Sequence, residues 1–259
     1  MAKSAGQEAA AVAEPATAPV ALAVGLGRGF GGKSTVLSEL VWRARNQGRQ
    51  VIVADGDTRS ATLAGLFPGE AMKPPSEELP DVKEWLIQVL IRMVEEQHSA
   101  VIDLGGGDRV LQEYGRDLRL VDFCEQYGIE PVAIYVLGPE EEDLRHVLSI
   151  YESGFFRTKR TLLVLNEGVI REGRTVCGAF EETLRNPGFE RMIADGAVML
   201  FMNRLAAMDK VKKLGVGFYD AADRRKVTNL DPVAQFMVKT WLKDLESNRV
   251  AAGVQSWLP

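Results

Sequence analysis

The chain contains the glycine-rich segment Gly25-Leu26-Gly27-Arg28-Gly29-Phe30-Gly31-Gly32-Lys33-Ser34-Thr35. An apolar run at residues 20–24 comes before it, and the apolar spacing at residues 36–43 after it indicates a helix. A strand, a glycine-rich loop and a helix in this order are the setting of a phosphate-binding loop. From Gly27 the residues fit the pattern G-x-x-x-x-G-K-S, so we predict that this loop binds a polyphosphate.

The residue types of the loop suit this chemistry. Glycines let backbone N–H groups turn inward around phosphate oxygens, and the helix that follows adds the positive end of its dipole. Lys33 is predicted to reach the β- and γ-phosphates, Ser34 to ligate Mg²⁺ and Thr35 to support the α-phosphate. The other loop residues that we predict to bind the nucleotide are Gly29, Phe30, Gly31 and Gly32.

A dinucleotide is an alternative ligand. Gly27, Gly29 and Gly32 also fit the pattern G-x-G-x-x-G, and Asp55 stands near the end of a second predicted strand, as in a dinucleotide-binding unit. That interpretation leaves Lys33 and the two hydroxyl residues after it without a function. The sequence therefore favours a nucleoside triphosphate, and a loop without any ligand is the third possibility.

Acidic residues follow two of the predicted strands. Residues 51–54 form a continuous apolar run typical of a buried parallel strand, which places Asp55 and Asp57 at the carboxyl edge of the sheet. Two carboxylates there suit a metal-bound water and the attacking water of phosphoryl transfer, so we predict Asp55 as a metal-site residue and Asp57 as catalytic. Capping of the next helix is the alternative for Asp57. The run Val101-Ile102-Asp103 predicts a second metal-supporting carboxylate, Asp103, which acts through a water.

Polar residues that could contact the base follow two later strands. Asn166 ends the apolar run at 161–165, and its amide matches the adjacent donor and acceptor on an adenine or guanine edge. Its alternative role is that of a turn residue. Asn203 and Arg204 follow another apolar run, at 197–201, where they could face the base or the ribose.

The order of the elements predicts the fold class. With a further strand at 131–137, strands alternate with helices along the chain. This pattern predicts a three-layer α/β fold of the P-loop NTPase type, with a mostly parallel sheet and helices on both faces. We expect residues 20–259 to form a single nucleotide-binding domain. Residues 1–19 are alanine-rich and interrupted by glutamates and prolines, so we expect a disordered leader.

Composition limits the partners. The net charge of -5 gives no overall case for nucleic acid, but residues 201–259 hold ten basic against six acidic residues, which makes this region a candidate for DNA contact. A solvated helix face is the alternative. The two cysteines lack metal-ligand spacing, which suggests a cytoplasmic protein, and no apolar run is long enough to form a transmembrane segment. A C-terminal amphipathic helix is predicted to present a docking surface rather than a membrane anchor, on the spacing of Val233, Phe236, Met237, Trp241 and Leu245.

Four of these motifs together resemble the ParA/MinD group of deviant-Walker ATPases, which partition plasmids or position cell-division and other cargo. They are the loop at 27–35, Asp55-Gly56-Asp57, Val101-Ile102-Asp103 and Leu163-Val164-Leu165-Asn166. The resemblance implies a Mg²⁺-dependent ATPase with weak turnover that cycles between ATP and ADP. It also implies an ATP-dependent homodimer and a partner protein that activates it or carries cargo.

The resemblance assigns roles to individual residues. It implies that Asp57 positions the attacking water, that Ser34 ligates Mg²⁺ and that Asp103 holds a metal-bound water. In that group the loop usually follows K-G-G-x-G-K-[ST], and its first lysine reaches the partner subunit's phosphates across the dimer. Here Arg28 takes the place of that lysine and Phe30 that of the second glycine. Arginine offers a planar fork to phosphate oxygens, which makes Arg28 a catalytic candidate; its alternative is a local ion pair that withholds it from the dimer.

Two other functions remain open on the sequence. One is a nucleotide-binding scaffold with little turnover, and the other is a small-molecule kinase. A kinase needs an arginine-rich lid, for which Arg157, Lys159 and Arg160 are the candidates. No helix-turn-helix pattern precedes the loop, so any DNA binding is expected to be independent of sequence.

Overall fold

The computed structural model describes residues 19–104, 119–171 and 173–259 of the chain. Its strands are β1 (Ala21–Leu26), β2 (Val51–Asp55), β3 (Ser99–Asp103), β4 (Glu130–Leu137), β5 (Arg160–Asn166) and β6 (Val198–Met202). They form one six-stranded sheet in the order β2-β3-β1-β4-β5-β6, in which every neighbouring pair is parallel.

Helices connect the strands. The described helices are α1 (Lys33–Asn46), α2 (Thr62–Leu66), α3 (Leu79–Glu96), α4 (Leu120–Gln126), α5 (Glu141–Ser153), α6 (Val176–Ala179), α7 (Glu181–Leu184), α8 (Pro187–Ala194), α9 (Met208–Leu214), α10 (Phe218–Ala221) and α11 (Pro232–Ala251). A short 3-10 helix, Glu167–Val169, follows β5 directly. None of the described helices is both long enough and apolar enough to span a bilayer.

Two separate apolar cores lie on the two faces of the sheet. Side chains of a strand alternate between the faces, so Leu22 and Val24 of β1 join one core while Ala21 and Ala23 join the other. The first core is completed by residues of α3 to α6 and α8, and the second by residues of α1, α2 and α9 to α11. This arrangement of two helical layers around a parallel sheet confirms the predicted three-layer α/β fold.

The register of the sheet brings the start of the phosphate-loop segment and two candidate carboxylates into one row. Gly25 of β1 lies opposite Asp103 of β3, and Asp103 lies opposite Asp55 of β2. The phosphate-loop segment therefore leaves the sheet directly beside the β3 carboxylate. The strand order produces this proximity, because β3 lies between β1 and β2.

A network of buried charges joins α1 to α11. Glu39 is 1% exposed and accepts a hydrogen bond from Arg249 Nη1 at 3.1 Å. Arg43 is buried as well, and it binds Glu246 of α11 through its Nε at 2.8 Å and Nη2 at 2.9 Å. Arg43 also donates to the carbonyl of Pro259 at 3.1 Å. The helix that begins at the phosphate loop is thus tied to the C-terminal helix by ion pairs as well as by apolar packing.

One expectation about domain organisation falls outside the described part of the chain. The predicted leader, residues 1–19, lies outside the described residues apart from Pro19. The single domain at 20–259 stays a prediction.

Candidate functional site

The phosphate-loop segment connects β1 to α1 at the carboxyl edge of the sheet. Gly32 is the N-cap residue of α1 and has a φ of 89°, a left-handed conformation that favours glycine. No side chain caps this helix end, and its first turn contains no acidic residue. The positive end of the helix dipole is therefore not neutralised by the helix itself, which makes it suited to an anion.

Lys33 is the cation of the loop. It is only 6% exposed, yet no hydrogen bond or ion pair joins its ammonium group to any described residue. A buried ammonium lowers the stability of the fold unless an anion compensates for its lost hydration. The geometry thus provides a cation whose natural counterpart is a bound anion.

Ser34 and Asp103 form the candidate metal site. The Ser34 hydroxyl donates to Asp103 Oδ2 at 3.0 Å, across 69 residues of sequence. A hydroxyl and a carboxylate are oxygen ligands of the kind that Mg²⁺ prefers. The structure brings these two predicted residues together, although no group of three or more histidine, cysteine or acidic side chains among the described residues could hold a metal ion.

Asp55 has a different local environment from the one that the sequence suggested. Its Oδ1 accepts the N–H of Asp57 at 3.0 Å, and its Oδ2 accepts the N–H of Ala64 at 2.7 Å. Burial raises the pKa of Asp55, and its two backbone hydrogen bonds oppose that rise. Because both oxygens already bind the backbone, Asp55 holds the turn before α2; its predicted part in a metal site stays a prediction.

Asp57 lies nearer to the candidate phosphate site. Its Oδ1 accepts the N–H groups of Arg59 at 3.2 Å and Ser60 at 3.1 Å, so it holds the turn before α2. The helix cap weighed for Asp57 is not formed, because α2 begins after Ala61 without a side-chain cap. Asp57 also lines the cleft that contains Lys33 and Ser34. Its predicted catalytic role is compatible with this position and stays a prediction.

The cleft itself has a volume of about 360 Å³ and extends from the phosphate loop to the end of β6. Asn203 and Arg204 line it, as the sequence suggested. Sequence patterns did not identify the rest of its far wall, because its residues come from the segment after β6 and from α9 and α11, whose sequences are typical of ordinary core or surface. That wall is formed by Leu205, Met208, Lys212 and Trp241.

Asn166 lines the cleft at the end of β5. It is 2% exposed, its Nδ2 donates to the carbonyl of Gly31 at 2.9 Å, and its Oδ1 accepts the N–H of Gly168 at 2.9 Å. The turn role that the sequence left open is therefore real. Contact with a base stays a prediction, because both ends of the amide have partners within the protein.

Two loop residues, Arg28 and Phe30, depart from the signature of the ParA/MinD group, and their side chains have different surroundings. Arg28 Nη1 lies 3.0 Å from Glu142 and 3.9 Å from Asp143, so this arginine forms the local ion pair that was the alternative to a role across a dimer. Burial raises the pKa of Asp143, and Arg28 partly offsets that rise. Phe30 has a φ of 65°, a left-handed backbone uncommon outside glycine, and its side chain is fully exposed.

The basic residues suggested for other functions lie away from this arrangement. Lys159 forms an ion pair with Glu125. Arg160 is the first residue of β5 and Asn166 is the last, so Arg160 lies at the end of the strand away from the cleft. The predicted kinase lid is therefore not placed over the cleft.

In the C-terminal region, several cations are paired with nearby acids, which supports a solvated surface. These pairs are Lys210 with Asp231, Arg225 with Asp223, and Lys226 with Asp220.

The geometry argues against a dinucleotide. That ligand requires an acidic residue on the strand next to the glycine loop, where it can reach the ribose hydroxyls. Here β3 separates β2 from β1, and Asp55 is buried with both oxygens bonded to the backbone. A carboxylate in this environment does not offer acceptors to a ribose.

Comparison with known sequences gives no family. No protein-family model matches the chain, and no curated protein sequence does.

Comparison with solved structures finds similar folds. McdA from Cyanothece, in complex with ATP, is 12% identical, with a TM-score of 0.50 and coverage of 92% of this chain and 98% of McdA. MinD from Aquifex aeolicus is 11% identical, with a TM-score of 0.48 and coverage of 88% and 98%. Chloroplast FtsY from Physcomitrella patens is 22% identical, with a TM-score of 0.42; the match covers 57% of this chain and 49%, about half, of that one.

The fold of this chain is similar to that of McdA, which confirms the predicted resemblance to the ParA/MinD group at the level of the fold.

Proposed function

We propose that this protein binds ATP together with Mg²⁺ in the cleft, hydrolyses it slowly and uses the bound nucleotide as a switch of the ParA/MinD type. One observation carries the proposal: a buried lysine without an anionic partner among the described residues stands at the uncapped start of α1, beside the Ser34–Asp103 pair. The ATP-bound state of McdA, whose fold is similar, agrees with this assignment.

The residues of the site fit the ligand by charge and by donor type. Lys33 and the first backbone N–H groups of α1 would bind the phosphates, which the helix dipole also attracts. Ser34 and, through a water, Asp103 would hold Mg²⁺, since both offer oxygen ligands. When bound, Mg²⁺ neutralises negative charge on the phosphate oxygens. Asp57, on the cleft wall, would accept a hydrogen bond from the attacking water and orient it toward the terminal phosphorus.

The switch would act through association. In the proposed cycle, ATP joins two copies of the chain with their clefts face to face, and hydrolysis separates them. A partner protein would recognise the joined state and connect it to the partition or positioning of a plasmid, a chromosome or other cargo. The basic residues of 201–259 that remain exposed, among them Lys213 and Lys243, would provide any sequence-independent DNA contact. We further propose that the protein acts in the cytoplasm.

A nucleotide-binding scaffold with little turnover is the second candidate. The observation that favours it is the ion pair between Arg28 and Glu142, which holds the arginine on its own subunit. In that case ATP would bind in the same cleft without joining two copies.

Light scattering and phosphate release test the proposal together. The molar mass in Mg²⁺-ATP is expected to be twice that in Mg²⁺-ADP, with slow phosphate release. An Asp57→Ala variant is expected to keep the doubled mass while releasing phosphate at least tenfold more slowly. ATP binding without doubling or turnover would support the scaffold, and turnover without doubling would indicate another kind of enzyme.

A further inference from the structure

The Asn166 amide contacts the phosphate loop rather than pointing freely into the cleft. Its Nδ2 donates to the carbonyl of Gly31 at 2.9 Å, and its Oδ1 accepts from the N–H of Gly168 at 2.9 Å. The side chain is 2% exposed, so these hydrogen bonds are shielded from water. We propose that Asn166 is a positioning residue that fixes the phosphate loop in its binding conformation; this inference rests on the proposed function.

The fit between Asn166 and the loop is close. A Cβ atom added at Gly32 would stand 2.1 Å from Asn166 Nδ2, far inside van der Waals contact. The amide therefore lies directly against the residue that begins α1. At this contact, any residue other than glycine at position 32 would displace the amide or the loop.

Peptide geometry turns this contact into control of a phosphate donor. The carbonyl of Gly31 and the N–H of Gly32 belong to one planar trans peptide, so they point in opposite directions. By holding the carbonyl, Asn166 directs the N–H of Gly32 away from itself. That N–H lies immediately before Lys33 and belongs to the loop whose amides are proposed to surround the phosphates.

The partners of Asn166 also define which part of the ligand it affects. A residue that recognises the base alters the affinity only for ligands that have a base. A residue that shapes the phosphate loop alters the affinity for any polyphosphate. The hydrogen bonds to Gly31 and Gly168 place Asn166 in the second category, because they leave at most one amide proton for a ligand.

Inorganic tripolyphosphate, which lacks a base, separates the two roles. Dissociation constants for Mg²⁺-ATP and for Mg²⁺-tripolyphosphate are measured by calorimetry for the parent and for Asn166→Ala, Asn166→Ser and Asn166→Asp. We expect both ligands to bind at least tenfold more weakly to each variant, with the ratio of the two constants unchanged. The aspartate variant keeps the acceptor for Gly168 but loses the donor to Gly31.

Asn229→Asp is the matched control. Asn229 is exposed and does not line the cleft, so the variant makes the same substitution without touching the loop or the ligand. It is expected to bind tripolyphosphate within about threefold of the parent. Urea unfolding of each variant shows which of the three Asn166 substitutions retain the parent's fold, and the comparison is made on those.

The outcomes are distinct. Equal loss for both ligands supports the positioning role. Loss for ATP alone, or no loss for either ligand, overturns it and returns Asn166 to base recognition or to a turn without influence on binding. A parent protein that binds neither ligand overturns the proposed function itself.

Discussion

At the scale of single residues, the glycines of the phosphate loop are required by contacts as well as by dihedral angles. Gly27 has a φ of 131°, and a Cβ there would meet the carbonyl oxygen of Val136 at 2.4 Å. Gly32 combines a φ of 89° with the close contact to Asn166. Backbone in this region is strained for other residues, so substitution moves the loop even where space can be made.

A Gly32→Ala substitution is therefore expected to weaken the binding of Mg²⁺-ATP by at least tenfold. The added methyl group must displace Asn166 or shift the start of α1, and either change moves the N–H groups that are proposed to bind phosphate. Gly65→Ala is the control, because nothing lies within 4 Å of a Cβ at that position and its φ is not positive. Calorimetric titration checks both variants. Parent-like affinity in Gly32→Ala would contradict the assigned loop geometry.

The pair formed by Arg28 and Glu142 provides a test of association. If Arg28 acts across the proposed dimer, Arg28→Ala is expected to bind ATP but not to double its mass. Glu142→Ala removes the competing partner of Arg28 and is expected to lower the dimer dissociation constant by about two- to threefold, since an exposed ion pair contributes only about 0.5 kcal/mol. Glu141→Ala is the control, because Glu141 pairs with Arg145 instead.

Sedimentation at several protein concentrations in Mg²⁺-ATP measures these constants. ATP-dependent doubling by Arg28→Ala at the parent's concentration would show that the arginine has no part in association.

Some of the site could be predicted residue by residue, and some could not. Lys33, Ser34 and Asp103 follow from local patterns, because a glycine loop and a strand-ending acid specify their positions. The pairing of Arg28 and the use of the Asn166 amide do not, since each depends on a segment more than 100 residues away. No short pattern in the sequence records such contacts.

At the scale of elements, α1 is the helix on which the site depends, and buried charges hold its central part. Glu39 is bonded to Arg249 and also accepts from the Tyr219 hydroxyl at 3.2 Å. Such a pair need not add stability compared with an apolar pair, but loss of one partner leaves a buried charge without compensation.

The Arg249→Met substitution is accordingly expected to lower the free energy of unfolding by about 3–5 kcal/mol. The double variant Glu39→Met with Arg249→Met is expected to recover much of that loss, because neither charge then remains buried. Lys243→Met, at an exposed position of α11, is the control and is expected to change the free energy of unfolding by less than about 0.5 kcal/mol. Urea unfolding measures all three; additive losses in the double variant would contradict the coupling.

Glu246 gives the same interface a dependence on pH. Its hydrogen bond to Arg43 holds the pKa of Glu246 below the ordinary value of 4.5, despite the opposing effect of burial. A carboxyl whose pKa is lowered by folding stabilises the protein above that ordinary value, and the contribution disappears as the pH falls through the folded-state pKa.

Compared with the parent, Glu246→Gln is expected to be less stable by about 0.5–1 kcal/mol at pH 7, a figure reduced for the partial exposure of the pair. The difference is expected to shrink as the pH falls below 4.5. Asp244→Asn, exposed on the same helix, is the control and is expected to change the stability at pH 7 by less than about 0.5 kcal/mol. Urea unfolding at pH 7 and at about pH 3.5 checks this. A difference that grows on acidification would contradict it.

The strands were easier to predict than the helices. Apolar runs marked all six strands to within two residues, because a parallel strand buried on both faces has almost no polar positions. Between β5 and β6 the chain forms α6, α7 and α8, which are short and separated by capping residues such as Asn186. Helices of four residues contain too little periodicity to be recognised.

At the scale of the whole molecule, the order of the strands determines which residues meet. Local patterns locate β1, β2 and β3, but they do not specify that β3 pairs with both of the others. That pairing places Asp103 beside the phosphate loop and separates Asp55 from it. This strand order agrees with binding of a nucleoside triphosphate at the loop. It disagrees with binding of a dinucleotide, which requires an acidic residue on the strand next to β1.

The central claim is that Lys33 and the start of α1 bind a polyphosphate, and titration of Mg²⁺-ATP by calorimetry tests it most directly. The parent and Lys243→Ala, which removes an exposed lysine, are expected to bind with the same affinity, while Lys33→Ala is expected to lose at least a hundredfold. Equal binding by Lys33→Ala and the parent, or no binding by the parent, would contradict the account.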